Sequence, residues 1–164
     1  MRCSRRGPRT SMTALAADLG VIPTSMDLRQ GFTLADPSVT VPWTASEEHL
    51  QELLGGILRH RTGGYWVAKV KLLGGLQCNI GFHFEGQPAV LANLEFFRDA
   101  YPDQRESFEE FQRYFELAFG APTSKNRGTA GYPEFRWSVP GAEIVHYVYD
   151  RFGPEEHMRI VRAG

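Results

Sequence analysis

The sequence is poor in several residue types and patterns, and each absence excludes a class of protein. Its 164 residues include only two cysteines, so a disulfide-rich scaffold is excluded and a cytoplasmic location is expected. The 18 basic and 19 acidic side chains leave a formal net charge of -1, which argues against nucleic acid and membrane surfaces as partners. The sequence shows neither a signal peptide nor an apolar run long enough to span a membrane.

Signatures of catalysis and cofactor binding are also missing. The five histidines form no His-x-x-x-His pattern, and no Cys-x-x-Cys pair exists. No glycine-rich phosphate loop is present. Cys78 and His83 lie an odd number of residues apart on one predicted strand, so they face opposite sides and do not form a thiol–imidazole pair. We therefore predict no catalytic residues, no metal and no cofactor.

The composition that is present suits one globular domain. Apolar residues make up 42% of the chain, and eleven Phe, six Tyr and three Trp supply a sizeable core. We predict a disordered basic leader over residues 1–25, whose first nine residues include four arginines. Met12 and Met26 are alternative translation starts, so the leader can be an extension of the true chain. Residues 26–164 are predicted to form a single α+β domain.

A pattern that occurs twice divides this domain into similar halves, residues 44–97 and 107–162. Each half opens with a capping box, Thr44 with Glu47 and Ser107 with Glu110, followed by an amphipathic helix that ends at glycine. Three segments with strand-like alternation follow each helix. We expect a curved antiparallel sheet of six or more strands, with two helices packed on one face and a candidate internal duplication. The helices would pack through Leu50, Leu53, Leu54, Phe108, Phe111 and Phe115.

Two details of the halves bear on function. In the third strand of the first half, the alternation places Val90, Ala92, Leu94 and Phe96 towards the core and their neighbours outwards. In the second half, residues 123–131 are rich in Ser, Thr, Lys, Asn, Arg and Gly. This composition predicts a loop that could contact a partner.

One outward row of the sheet mixes aromatic rings with hydrogen-bonding groups, as protein-binding surfaces do. The candidate partner-binding residues are Tyr65, Lys69, Lys71, His83, Glu95, Phe97, Tyr147 and Tyr149. The aromatic members would serve as anchors, and the charged members would fix the orientation of the partner. The alternatives are a solvated sheet face with incidental aromatics, or a face covered by the N-terminal segment.

A helix that ends near Gly-x-Pro and leads to an aromatic strand suggests a family likeness. Phe119-Gly-Ala-Pro122, followed by Tyr132 and Trp137, resembles the tandem repeat of the beta-lactamase inhibitor protein and related lipoprotein domains. Leu54-Gly55-Gly56, followed by Tyr65-Trp66, matches that repeat more loosely. The paired or lipidated cysteines of those secreted proteins are absent. In size and aromatic content the chain is also similar to small bacterial immunity proteins, which implies stoichiometric binding to a protein.

These observations support three functional hypotheses. The first is a cytoplasmic immunity or inhibitor protein that blocks a toxin or enzyme by steric occlusion, using the outward row and residues 123–131. The second is a small-ligand-binding domain or enzyme with a pocket between sheet and helices, in which His83 or His146 acts with Glu95 or Asp150. The third is a structural domain that self-associates into a homo-oligomer.

Overall fold

The computed structural model describes residues 26–100 and 103–164, so the predicted leader at residues 1–25 lies outside the described residues. The described part of the chain contains ten strands, two α-helices and a short 3₁₀ turn at Gly55–Ile57. In chain order the elements are β1 (Gly31–Leu34), β2 (Val39–Pro42), α1 (Glu47–Leu54), β3 (Arg59–Thr62), β4 (Tyr65–Leu72), β5 (Leu76–Glu85), β6 (Val90–Phe97), α2 (Gln104–Phe119), β7 (Ser124–Arg127), β8 (Pro133–Val139), β9 (Ala142–Asp150) and β10 (Pro154–Arg162).

Eight of these strands form one sheet in the order β3-β4-β5-β6-β10-β9-β8-β7, and β1 and β2 form a separate hairpin. The neighbouring strands of the large sheet pair antiparallel. Each helix is followed by a four-strand meander, and the two meanders meet where β6 pairs with β10. The predicted α+β fold with an antiparallel sheet of six or more strands is confirmed.

The sequence predicts three strands after each helix, but the structure has four. The missed strands are β3 and β7, which form the two edges of the sheet and read Arg-His-Arg-Thr and Ser-Lys-Asn-Arg. They carry no alternation of apolar and polar residues, because neither strand has a buried face. Charged side chains on such an edge strand discourage pairing with other chains. The prediction of a loop over residues 123–131 is therefore wrong at Ser124–Arg127, which pairs with β8.

The core lies on one side of the large sheet, which we call the inner face. Phe115 of α2 packs edge-on against Phe96 of β6, with ring centroids 5.4 Å apart. Phe32 of the β1–β2 hairpin lies 5.4 Å from the same Phe96 ring. Leu50 and Leu54 of α1 join this core. Both helices and the hairpin thus cover the inner face, as predicted for the helices; the opposite side is the outer face.

Both helices begin with caps other than the predicted ones. The side chain of Ser46, not Thr44, accepts a hydrogen bond from the backbone of α1, and Glu47 instead accepts one from the Trp66 indole. Helix α2 begins one turn earlier than predicted, with Asp103 as its N-cap. Ser107 is buried within α2, where its hydroxyl donates a hydrogen bond to Glu156 on β10 instead of capping the helix.

A bulge between β5 and β6 reverses part of the predicted alternation in β6. The register of the two strands shifts between His83 and Phe84. Leu91, predicted to point outwards, is fully buried, whereas Val90 and Ala92 are only half-buried. Beyond the bulge Phe96 is buried, as the alternation predicts. The extra residue of a bulge exchanges the two faces of a strand, and period-two counting does not register it.

Candidate binding face

Strand register gathers several of the predicted binding residues at the middle of the outer face. Tyr65 on β4 lies opposite His83 on β5, and Glu95 on β6 lies opposite Arg159 on β10. Because β6 and β10 join the two meanders, the pair of Glu95 and Arg159 spans the junction between the halves of the chain. The central cluster, as we call it, comprises Tyr65, His83, Glu95, Tyr147, His157 and Arg159.

Glu95 is the hub of the central cluster. Arg159 Nη2 donates a hydrogen bond of 3.0 Å to Glu95 Oε1, and His157 Nδ1 lies 3.8 Å from the same oxygen. Tyr65 donates its hydroxyl to Glu95 Oε2 at 3.4 Å, and His83 Nε2 lies 3.4 Å from that oxygen. The side chain of Glu95 is only 18% exposed. One carboxylate therefore organises side chains from three strands besides its own.

These neighbours fix the ionisation of the carboxyl and the phenol. Hydrogen bonding to His157 and His83, with the Arg159 charge, holds the pKa of Glu95 well below its usual range although burial acts in the opposite direction. The 3.8 Å to His157 is long for a hydrogen bond, so the shorter Arg159 contact is the firmer of the two. Burial, assisted by the Glu95 charge, raises the pKa of Tyr65 to about 12. At neutral pH Glu95 is an anion and Tyr65 keeps the proton that it donates.

Two tyrosine–histidine stacks flank the hub. The rings of Tyr65 and His83 are 4.3 Å apart at an interplanar angle of 22°, and those of Tyr147 and His157 are 5.0 Å apart at 20°. Gly81 makes room for the first stack, because a Cβ at this position would lie 2.6 Å from the Tyr65 ring. The rings of Tyr65 and Tyr147 are therefore held in place by neighbouring side chains.

The remaining predicted residues lie outside this hydrogen-bonded hub. Lys69 is 81% exposed and pairs with Asp99 at 3.0 Å. Lys71 is exposed near the end of β4, and Tyr149 is 48% exposed near the end of β9. Phe97 is half-buried and lines a cavity of about 380 Å³ beside the hub.

His157 and Arg159 were missed by sequence reasoning, although β10 carries a readable signal. Glu156, Met158 and Ile160 are buried, and the residues between them are more exposed. This alternation places His157 and Arg159 on the outer face. The signal that could have identified both residues is this alternation in the last strand.

A second histidine–glutamate pair lies on the inner face, where His146 on β9 meets Glu156 on β10. His146 Nε2 is 2.8 Å from Glu156 Oε1, and His146 Nδ1 is 2.8 Å from Gln112 Oε1 on α2. The other oxygen of Glu156 accepts hydrogen bonds from Ser107 and Gln104 at 2.9 and 3.0 Å. The network therefore ties helix α2 to the two strands.

The ring of His146 is enclosed as well as hydrogen-bonded. Phe108 stacks on it with centroids 4.0 Å apart, and the imidazole has no exposed surface. Burial lowers the pKa of His146, and the Glu156 carboxylate offsets this only in part. A ligand cannot reach this ring in the folded protein, so His146 is placed as a structural residue. The carboxylate beside His146 is that of Glu156, whereas the second hypothesis names Glu95 or Asp150.

A cavity of about 520 Å³ lies near the end of β4 and the beginning of β5. Its walls include Lys69, Lys71, Asn79 and Asp99. Asn79 donates a hydrogen bond of 2.9 Å to Asp99, so the carboxylate that pairs with Lys69 is held from two sides. No histidine lines this cavity.

Two features are absent from the described residues, 26–100 and 103–164. No group of three or more His, Cys, Asp or Glu side chains there could hold a metal ion. Neither helix in that part of the chain is long and apolar enough to cross a membrane. Cys78 is a buried free thiol, as predicted, and burial raises its pKa to about 12.

Comparison with known proteins adds one distant likeness. No protein-family model matches the chain, and no curated protein sequence matches it. A solved structure of a DUF4309 family protein (YjgB) from Bacillus subtilis subsp. subtilis str. 168 is similar, with a TM-score of 0.44 and 8% sequence identity. The match covers 73% of this chain and 79% of that chain.

Proposed function

We propose that this chain is a protein-binding module whose outer sheet face contacts the partner. The observation that carries the proposal is the central cluster, in which two tyrosine–histidine stacks flank the Glu95–Arg159 pair. Among the described residues, the helices and the β1–β2 hairpin pack on the inner face, so no second layer covers this cluster. A face of this kind offers aromatic area and polar groups together.

The geometry supports binding because the side chains are fixed in advance. Ordering a side chain at an interface costs roughly 0.5–1.5 kcal/mol. Tyr65 is held by His83 and Glu95, and Tyr147 is held by His157. A partner that docks on these rings therefore loses less free energy to ordering than it would on free side chains.

More specifically, we propose that the chain is an immunity or inhibitor protein that acts in the cytoplasm by occluding a toxin or enzyme. The size of the chain and its aromatic sheet support this role by analogy. The free thiol of Cys78 fits a reducing compartment. Binding by occlusion requires no chemistry from the chain itself.

The test uses the tagged chain to capture its partner from a lysate of the source organism, followed by native mass and a binding titration. We expect a stoichiometric protein partner and weaker binding after Tyr147→Ala/Tyr149→Ala, which removes two rings from the outer face. The control is Leu117→Ala, since Leu117 is an exposed apolar side chain on α2, outside the large sheet. Unchanged affinity in the tyrosine variant, with an unchanged thermal midpoint, would refute this assignment of the face.

A small ligand is the second candidate, favoured by the cavity of about 520 Å³ beside Lys69 and Lys71. This cavity carries two lysines and two aspartates, Asp36 and Asp99, which would suit a ligand with both charges. Recovery of the chain alone from the lysate would favour this candidate. The Lys71→Ala variant would then be compared with wild type for ligand-induced thermal stabilisation.

A further inference from the structure

The central cluster contains two imidazoles for one carboxylate, an arrangement whose charge depends on pH. We propose that it is a pH-sensitive switch which regulates partner binding to the outer face. Protonation of His83 and His157 would give the cluster a net positive charge and loosen Arg159 from Glu95. This inference rests on the proposed function in its regulatory part, whereas the movement of Arg159 is independent of any partner.

The titratable and charged groups around Glu95 come from β5 and β10, which pair with β6, and from β4, which pairs with β5. They are Tyr65 on β4, His83 on β5, and His157 with Arg159 on β10. Glu155 Oε2 lies 3.9 Å from His157 Nε2, and Arg61 acts on Tyr65 through its charge. The β9 residue stacked on His157 is Tyr147, which is uncharged in this range.

The charges around the hub shift towards positive when the imidazoles are protonated. While both are neutral, the carboxylates of Glu95 and Glu155 are matched by the guanidinium groups of Arg159 and Arg61. When both are protonated, the cations outnumber the carboxylates by two. A histidine side chain in general changes charge between about pH 8 and pH 5, which is the range that the experiments cover.

The contact between His157 and Arg159 shows how the charge change would become movement. Arg159 Nη2 lies 3.5 Å from His157 Nδ1 and 3.0 Å from Glu95 Oε1. A neutral Nδ1 can accept from the guanidinium, whereas a protonated Nδ1 is a donor and a like charge. The imidazolium would then compete with Arg159 for Glu95 Oε1. Because the Arg159 side chain is 38% exposed, it has a path to solvent.

The first experiment follows the Arg159 Nε–H signal by NMR from about pH 8 to pH 5. We expect a titrating shift in the wild type, its loss in His83→Gln/His157→Gln, and its retention in the control His60→Gln. His60 is exposed on edge strand β3, outside the cluster. A signal that stays constant in the wild type would overturn the switch, and so would a shift that persists in the double variant.

The second experiment measures the affinity of the captured partner at both ends of this range. We expect a change of about tenfold that the double histidine variant abolishes, within the usual range of coupling between sites. An equal affinity at both ends, despite a shifting Arg159 signal, would overturn the regulatory part alone. If no protein partner is captured, the proposed function fails, while the NMR result still decides whether Arg159 responds.

Discussion

The two faces of the sheet carry the same chemistry in opposite settings, and the difference begins at adjacent residues of β10. Glu156 points to the inner face and pairs with His146, whereas His157 points to the outer face and approaches Glu95. His146 and Glu156 are 0% and 1% exposed, while Glu95 and His157 are each 18% exposed. A histidine–glutamate pair by itself therefore indicates no function; its burial and its other partners do.

The partners explain the division further. Glu156 is saturated by Ser107, Gln104 and His146, all of which belong to the packing of α2 on the sheet. Glu95 is shared by groups that remain partly in contact with solvent. The inner pair therefore stabilises the packing of α2 on the sheet, whereas the groups of the outer cluster remain accessible to solvent.

The largest expected effect follows from breaking the inner pair. Glu156→Ala leaves His146, Ser107 and Gln104 without their acceptor inside the core. A buried donor left without its acceptor costs about 1–3 kcal/mol of unfolding free energy, and His146 and Ser107 are both buried. Urea denaturation measures this loss, with the exposed neighbour Glu155→Ala as the control. Similar midpoints for the two variants would show that the inner network contributes little to stability.

A smaller effect is expected at the hub of the outer face. Glu95→Gln keeps the shape but removes the charge, which should cost about 2 kcal/mol through weaker hydrogen bonds to charged groups. Because folding lowers the pKa of Glu95 from its ordinary value of 4.5, the carboxylate stabilises the fold above that pH. This contribution is lost as the pH falls towards the folded pKa. Denaturation at neutral and acid pH should show the gap between wild type and variant closing; a gap that widened in acid would contradict the account.

Gly81→Ala should disturb the outer face with less cost to the fold. The new Cβ would meet the Tyr65 ring, and overpacking of this kind costs about 1 kcal/mol. Displacing the ring should bring the pKa of Tyr65 from about 12 back towards 10.0. Ultraviolet titration of tyrosinate measures this, with Tyr65→Phe to assign the signal. Gly56→Ala is the control, since nothing lies within 4 Å of its added Cβ. An unchanged Tyr65 titration in Gly81→Ala would contradict the idea that glycine at position 81 leaves room for the Tyr65 ring.

The smallest effect is expected for Lys69→Ala. Lys69 and Asp99 form an ion pair whose side chains are 81% and 58% exposed, and such pairs contribute little to stability. The denaturation midpoint should stay at the wild-type value. A clear destabilisation would show that the Lys69–Asp99 pair contributes to the stability of the fold, contrary to this account.

Much of the fold could be predicted from local patterns. The phenylalanines of α2 and the inward-facing residues of β5 follow directly from residue periodicity, and the structure buries both sets. The outward-facing Asn79 and Gly81 of β5 are buried as well. Edge strands β3 and β7 could not be predicted, because an exposed, charged strand has no buried face to impose a period. The inward orientation of Leu91 could not be predicted, because it depends on a bulge between β5 and β6.

The candidate site was predictable only in part. Tyr65, His83 and Glu95 were chosen as outward residues, and strand register brings them into contact. Arg159 lies 64 residues from Glu95 along the chain, and only the pairing of β6 with β10 makes them neighbours. Local sequence patterns do not reveal which strands of two meanders meet, so the hub could not be assembled from the sequence.

The measurement that tests the central claim most directly is the affinity of the captured partner for the two variants. If the outer face binds, Tyr147→Ala/Tyr149→Ala should weaken the complex by about tenfold or more, equivalent to ~1.4 kcal/mol. Leu117→Ala should bind as the wild type does. The opposite result, in which Leu117→Ala loses affinity and the tyrosine variant does not, would place the interface elsewhere on the molecule and contradict the account.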